Sequence, residues 1–563
     1  MGAPLRGLTP VLSPAFFRLL GAGALLALAA VPMLWTAFVA LSTGSNTAAW
    51  RALAQDPALT QSTLLTLWTG LASTLLAWWG AAALLARGFV RQQLARLLSG
   101  LPLMLATPHA ALAIGLLFLL APSGWLLRAI SPWLTGFHSP PPWPTTQDPW
   151  GLGLIAALVA KEIPFLLWTA ATQLQRDDVR QRWRAEHALA QTLGYAPRRA
   201  FWLVLWPQLA TRLRWPLLAV LAYGLTVVDM ALVIGPATPP TLAVLAWQWL
   251  QDADPATYAQ GAAAGVLLAL MVLGCSALWL GLQHLQRKAL AHGRGRRQGH
   301  RERGRAAATP GSDIGLWLLL GVYAAVLLAL AAGSVGGVWA FPAMWPQSFT
   351  AAAWQQVAQS SGTVFTTLWL AAGSSAIALV WCVAWLELAP RRWDDALRPL
   401  LYLPLVLPAV LWVVGLYGVG LQLRLEGQAS GLLIAHTLMV LPYVLLALSP
   451  AYLGFDTRYA QLNASLGRSG WAFLLRVKWP LLKRSLASAA AVGFAVSVAQ
   501  YLPTLYVGAG RFASVTTEAV TLASGGQRSL TSAYAGLQLA LPVLAFALAA
   551  WLGRPRRFRP TTA

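Results

Sequence analysis

Acidic side chains are scarce in this chain: 17 Asp and Glu stand against 40 Lys and Arg in 563 residues, a formal net charge of +23. Charged residues of either sign make up only 10% of the sequence, where a soluble globular chain carries about 25%. That shortage excludes an ordinary soluble domain and leaves a polytopic membrane protein. A basic balance can signal nucleic acid. Here, however, the arginines fall in short stretches between apolar runs, the positive-inside pattern, so no nucleic-acid partner is expected. Cysteine is nearly absent. Cys275 and Cys382 both lie inside apolar runs, which excludes a disulfide framework and points to free thiols. Lysine occurs only as Lys161, Lys288, Lys478 and Lys483, and none precedes Ser or Thr. A phosphate-cradling P-loop needs Gly-Lys-[Ser/Thr], so this chain is not expected to bind ATP or any cofactor itself. The histidines show no metal-ligand spacing, and no carboxylates pair in a plausible cleft. Neither a metal site nor catalysis is expected.

What is abundant is apolar: 58% of the residues, with 29 tryptophans suited to interfacial belts. About 20 apolar residues cross a bilayer. Twelve such runs stand at roughly 16–41, 62–86, 100–121, 151–173, 214–236, 260–284, 313–334, 363–386, 398–421, 430–453, 484–507 and 533–552. The expected fold is all-α, a polytopic transmembrane bundle of about twelve spans. The first run is too long for a cleaved signal peptide and reads as a retained span. Arg6 and Arg18 precede or open it, which places the amino terminus in the cytoplasm. Twelve crossings return Arg554-Pro555-Arg556-Arg557 to the same side. The loops on that side are rich in arginine, from Arg87 to Arg96, Arg176 to Arg214, Arg287 to Arg305 and Arg458 to Arg484. The opposite loops hold few, among them Arg51, Arg128 and Arg424. The stretch 286–312 is charged, contains glycine and lacks large apolar residues. It reads as a flexible basic linker between a first domain, 1–285, and a second, 313–563, lying near anionic lipid.

The two halves repeat. Ala188-Leu189-Ala190-Gln191-Thr192-Leu193-Gly194 leads through Arg198 and Arg199 to Val204-Leu205-Trp206-Pro207. Gln461-Leu462-Asn463-Ala464-Ser465-Leu466-Gly467 leads through Arg468 and Trp471 to Val477-Lys478-Trp479-Pro480. Gly467 minus Gly194 is 273, and so is Pro480 minus Pro207. Physically this is a short helix ended by a glycine, a second short helix, and a proline opening the next span. Thr66-Leu67-Trp68 recurs as Thr367-Leu368-Trp369, Pro108 with Gly115 as Pro408 with Gly415, and Ile163-Pro164-Phe165 as Leu441-Pro442-Tyr443. Six spans per half give both halves the same sense, so the expected symmetry is a pseudo-two-fold along the membrane normal. The first half has extra residues in a proline-rich outer loop, 139–144, and about five more between Pro164 and Gly194.

The repeated loop resembles the EAA loop of permease subunits of binding-protein-dependent ABC importers: Glu-Ala-Ala, three residues, Gly, nine residues, Ile-x-Leu-Pro. Gly194 with Pro207 and Gly467 with Pro480 match its Gly and Pro columns, and Val204 and Val477 fill the Ile column. Ala188 and Gln461 stand in the Glu column, and Glu186 lies two residues upstream of it. The resemblance covers both halves. It looks most like the fused permeases of thiamine and ferric-iron importers. It implies a bacterial inner-membrane protein, both termini cytoplasmic, that forms a substrate pathway. A periplasmic binding protein would deliver cargo. A cytoplasmic ATPase, with ATP and magnesium bound there, would dock on Ala188, Ala190, Gly194, Arg198, Arg199, Gln461, Ala464, Gly467, Arg468 and Trp471. The rival reading is a secondary transporter with six plus six helices. Its acidic Asp-Arg-x-Gly-Arg type motif is missing from the loop Arg87-Gly88-Phe89-Val90-Arg91-Gln92-Gln93.

Ionisable residues inside spans are costly and default to functional hypotheses. Lys161, Glu162, Asp229 and His436 fall in this class. They either pair between helices, for example Lys161 with Asp229, or line the substrate path.

Overall fold

The structure is a computed structural model describing residues 14–90, 100–174, 177–293 and 314–554. It is all-helical in character, as the apolar runs predict. In the first half, α1 is Pro14–Gly44, α2 Leu59–Val90, α3 Leu101–Ala106, α4 His109–Leu120, α5 Leu152–Leu174, α6 Asp177–Thr192 and α7 Pro197–Ala200. Then follow α8 Trp206–Arg212, α9 Arg214–Thr226, α10 Asp229–Ile234, α11 Leu242–Trp249 and α12 Pro255–Gly293. The second half opens with α13 Ile314–Val335, α14 Ser361–Leu388, α15 Arg391–Leu401, α16 Leu403–Val406, α17 Ala409–Gln422 and α18 Ala429–Leu453. It closes with α19 Arg458–Ser465, α20 Gly470–Phe473, α21 Trp479–Val498, α22 Leu502–Val507, α23 Val515–Ser524 and α24 Arg528–Leu552.

The expectation of twelve continuous spans needs correction. Among the described residues ten helices are long and apolar enough to cross a membrane. An eleventh span is counted only if the pair Arg391–Val406 and Ala409–Gln422, bent by 99°, is taken as one. The prolines explain that bend. Thr107 and Leu407, each preceding a proline, stand in extended backbone at ψ 118° and 141°, because the proline ring disfavours helix at the residue before it. Pro108 and Pro408 then cap α4 and α17. Pro164 and Pro442, by contrast, sit inside the unbroken α5 and α18. The fifth expected run breaks after Thr226, where Val227 is extended at ψ 132°. The eleventh breaks after Val498, at 499–501. Asp229 opens α10 and Leu502 opens α22, 273 positions apart. The linker reading is also corrected in part: α12 runs on through Gly293, while 294–313 lies outside the described residues.

The halves are crossed at their first helices. α1 packs on α17 and α14 of the second half, and α13 packs on α4 of the first. The repeated glycines make this approach possible. A Cβ on Gly115 would lie 2.5 Å from Val326 Cγ1, and one on Gly415 would lie 2.0 Å from the Thr36 carbonyl oxygen. One apolar core therefore mixes Ile114 and Leu158 with Val326 and Tyr534. A second mixes Met33 with Trp385 and Trp412. The repeated threonines have a shared task too. Thr66 Oγ1 accepts the Leu242 N–H at 2.8 Å, and Thr367 Oγ1 accepts the Val515 N–H at 2.9 Å. Each satisfies an otherwise unpaired donor at the start of α11 or α23. Both cysteines are free.

Candidate functional site

Both repeated loops have the same backbone. α6 ends at Gly194, with φ 92°, and α19 ends at Gly467, with φ 66°. The same pair of hydrogen bonds closes each turn: Gly194 N to Gln191 O and Tyr195 N to Ala190 O, then Gly467 N to Ala464 O and Arg468 N to Asn463 O. The left-handed conformation at each turn is one glycine adopts without strain. Next come the one-turn helices α7 and α20, then a single wide π-helical turn at Phe201–Leu205 and Leu474–Lys478. It precedes Trp-Pro in both copies. There Trp206 N bonds Phe201 O, and Trp479 N bonds Leu474 O. The proline has no N–H and crowds the carbonyl four residues back, which favours the wider ladder.

Their fillings differ. Beneath the first loop lies Trp183, 1% exposed. Its indole N–H donates to Gln208 Oε1 at 3.2 Å, and Gln208 Nε2 donates to Glu186 Oε2 at 2.6 Å. Arg182 pairs with Glu186 at 2.7 Å. The Gln208 amide, and then Arg182, hold the Glu186 carboxyl below the ordinary carboxylate range. His187 bonds the Pro197 carbonyl at 2.9 Å and packs edge-on to Phe89. Beneath the second loop the position of Trp183 falls to Asp456, 273 residues on, which pairs with Arg458 at 2.8 Å. Asp456 lines a cavity of about 190 Å³ with Trp385, Tyr452, Phe455, Phe473 and Lys478. A polar strut spans this side: Lys478 pairs with Glu387, which also accepts the Tyr452 hydroxyl at 2.5 Å. Asn463 takes the place of Ala190 and donates to the Arg468 carbonyl at 3.1 Å.

Of the residues read from the sequence, Ala188, Gly194, Arg198, Arg199 and Pro207 are exposed, and Ala190 is buried. Gln461, Ala464, Gly467, Arg468, Trp471 and Pro480 are exposed. The pattern missed the leucines between them. Leu189 and Leu193 are 61% and 67% exposed, and their mirrors Leu462 and Leu466 are 59% and 61% exposed.

The intramembrane residues divide. Lys161 does not pair with Asp229. Its ammonium donates to the carbonyls of Met104, Leu105 and Thr107 at 3.4, 3.4 and 2.5 Å. Those carbonyls belong to the last turn of α3, freed where Pro108 interrupts the helix, and a cation suits that helix end. His436 has both ring nitrogens occupied, by Ser497 Oγ at 2.8 Å and Thr504 Oγ1 at 3.0 Å. It thereby ties α21 to α22 across the break. Among the described residues Asp229 has the Tyr223 hydroxyl, at 3.5 Å, as its side-chain partner, and the backbone N–H groups of Asp229 and Met230 also donate to it. No group of three or more metal-ligating side chains occurs among the described residues.

No family model matches the chain. The inner membrane ABC transporter permease protein YnjC of Escherichia coli is 35% identical over 546 residues, covering 95% of this chain and 97% of that one. The chain belongs to the ABC transporter permeases. The thiamine transport system permease protein ThiP of Salmonella typhimurium is 28% identical over 486 residues, 83% of this chain and 84% of that protein. The molybdenum transport system permease protein ModB of Mycobacterium tuberculosis is 32% identical over 122 residues, 20% of this chain and 46% of that protein. With these relatives and its apolar helices, the chain is a multi-pass inner-membrane permease subunit of an ABC importer, not a secondary transporter. Such permeases work with an ATPase and a substrate-binding protein.

Proposed function

We propose that the two loops around Gly194 and Gly467 are the docking surface for a separate cytoplasmic ATPase dimer, one subunit per loop. One observation carries this reading: Leu189 and Leu193 recur 273 residues later as Leu462 and Leu466, exposed on the same turn of the same backbone. Paired apolar side chains kept in solvent at matched sites are what a partner surface needs. Arg198, Arg199, Arg468 and Trp471 flank them. ATP and magnesium bind on the ATPase, and this chain carries no cofactor. Closure of that dimer draws the loops together, and the crossed halves rock to change the open side of the pathway. The arginine distribution supports cytoplasmic termini and a cytoplasmic 286–312 segment, with 139–144 facing the periplasmic binding protein. The arginines beside the spans meet anionic lipid, and nucleic acid has no part.

Lys161 and His436 act here as braces at two helix breaks, whereas Asp229 and Glu162 belong to the pathway. The test is purification of the tagged chain from inner membranes. It should bring down a subunit carrying Gly-Lys-[Ser/Thr], and the double change Leu193→Asp and Leu466→Asp should release it. Retention at wild-type level by that variant, in a chain of normal abundance, overturns the assignment.

A further inference from the structure

The break at 227–228 lies where the halves meet: α10 packs on α4, α5 and, across the halves, α23, and Tyr501 of the break at 499–501 is within electrostatic reach of Asp229. Irregular backbone at membrane depth is tolerated where it is buried in protein or lines a cavity, and discontinuous helices are where transporters bind cargo. Two carboxylates face this place. Glu162 is 6% exposed and makes no hydrogen bond or ion pair among the described residues, although the preceding Lys161 is within electrostatic reach. Asp229 is only partly enclosed, and its one side-chain partner among the described residues is Tyr223, at 3.5 Å, beside the backbone N–H groups of Asp229 and Met230 at the start of α10. Among the described residues the cation nearby is Lys161, which is turned to three backbone carbonyls. One ammonium against two carboxylates leaves a formal charge of −1.

The remaining wall is aromatic. The His109 ring lies 4.6 Å from that of Tyr223. The Tyr223 hydroxyl is within electrostatic reach of Asp229, Glu162 and, from the second half, Tyr443. Tyr501, at the opposite break, senses Asp229. Tyr443 is 36% exposed although it lies in mid-span, next after Pro442 of α18. An aromatic enclosure with a formal excess of one carboxylate is complementary to a weakly hydrated cation. An oxyanion would instead need free N–H or ammonium donors, and Lys161 has none to spare.

We infer that Asp229 and Glu162, walled by His109, Tyr223, Tyr443 and Tyr501, form a cargo site in the pathway that takes a small organic cation. This rests on the permease reading. It does not need the ATPase, so a chain that binds the cation but no ATPase counts against the coupling loops and not against this site.

The test uses the full chain in lipid nanodiscs, titrated at constant ionic strength with N-methylpyridinium, with sulfate, and with manganese(II). Equilibrium dialysis reads binding, and thermal unfolding reads integrity. Saturable binding of N-methylpyridinium is expected, weakened about tenfold or more by Asp229→Asn and several-fold by Tyr443→Leu, with no saturable sulfate binding. If Asp229→Asn fails to fold, Tyr443→Leu, at a part-exposed ring, carries the test. Four results overturn the site: no saturable cation binding by the unmodified chain; undiminished binding in both variants; saturable sulfate binding lost in Lys161→Met; or manganese(II) bound while N-methylpyridinium is not.

Discussion

The first and second loops share a backbone and differ in what lies beneath it. Under the first, an indole fills the space and a chain of amide and carboxylate groups satisfies its N–H. Under the second, an aspartate stands at the same register and a cavity of about 190 Å³ remains, bridged by Lys478, Glu387 and Tyr452. The exposed tips are nonetheless alike. A repeat can therefore keep its outer face, where a common partner would bind, while its support drifts. α6 has 16 residues and α19 has 8. The added turns carry Trp183, and they account for the extra residues between Pro164 and Gly194.

The largest break in this comparison should come from Trp183→Ala. Emptying the site of a fully buried indole should cost about 3–5 kcal/mol. Asp456→Ala, at the mirrored position, loses an exposed pair and one backbone hydrogen bond with Arg458 beside a cavity that already exists, and should cost about 1 kcal/mol or less. Thermal unfolding of the purified chain reads both. Next in size is the strut of the second loop. Lys478→Met or Glu387→Gln alone strands a part-buried partner and should cost about 1–3 kcal/mol. The double variant should cost less than the two single costs added together, and strict additivity would show that the pair is not coupled. Smaller still is Gly467→Ala. An added Cβ there meets nothing within 4 Å, so only the left-handed backbone opposes it, at about 1–2 kcal/mol. The variant should stay folded yet recover less ATPase in a pull-down. A wild-type yield would mean that the turn geometry is not read by the partner.

The smallest expected effect is one of pH. The folded value of Glu186 is depressed by Gln208 and Arg182. Its contribution is therefore present above the unfolded carboxylate value, about 4.3, and is lost as pH falls through the lower folded value. Hydrogen exchange of 186–208 should quicken over that window, and Glu186→Gln should flatten the response. The mirrored position, Tyr459, has no acid to lose.

The sequence made much of this architecture legible because its signals are repetitive. Gly194 and Gly467, with their Trp-Pro partners, mark the turns directly. Gly115 and Gly415 mark close approaches whose reason, the crossing of α1 and α13, needs three dimensions. Hydropathy failed at the fifth and eleventh runs. A break at Val227-Val228 or Ala499-Gln500 leaves the run apolar and carries no proline to mark it, unlike the breaks before Pro108 and Pro408, so twelve even spans were expected where four are interrupted. Charge counting failed at Lys161. It sought a carboxylate, whereas the ammonium is satisfied by main-chain carbonyls, which no side-chain pattern reveals. Glu186 lay outside the expected Glu column and found its role through Gln208, one residue past Pro207, a contact made only when the loop closes.

The central claim is that both loops, however differently supported, meet an ATPase in the same way. Cysteines placed singly at Leu193 and Leu466, in a chain lacking Cys275 and Cys382, test it by cross-linking in inner-membrane vesicles, with exposed Trp133 in the loop between α4 and α5 as control. The account predicts that both positions cross-link to the same kind of ATPase subunit and that the control does not. Cross-linking from one loop alone, or from neither, would contradict it.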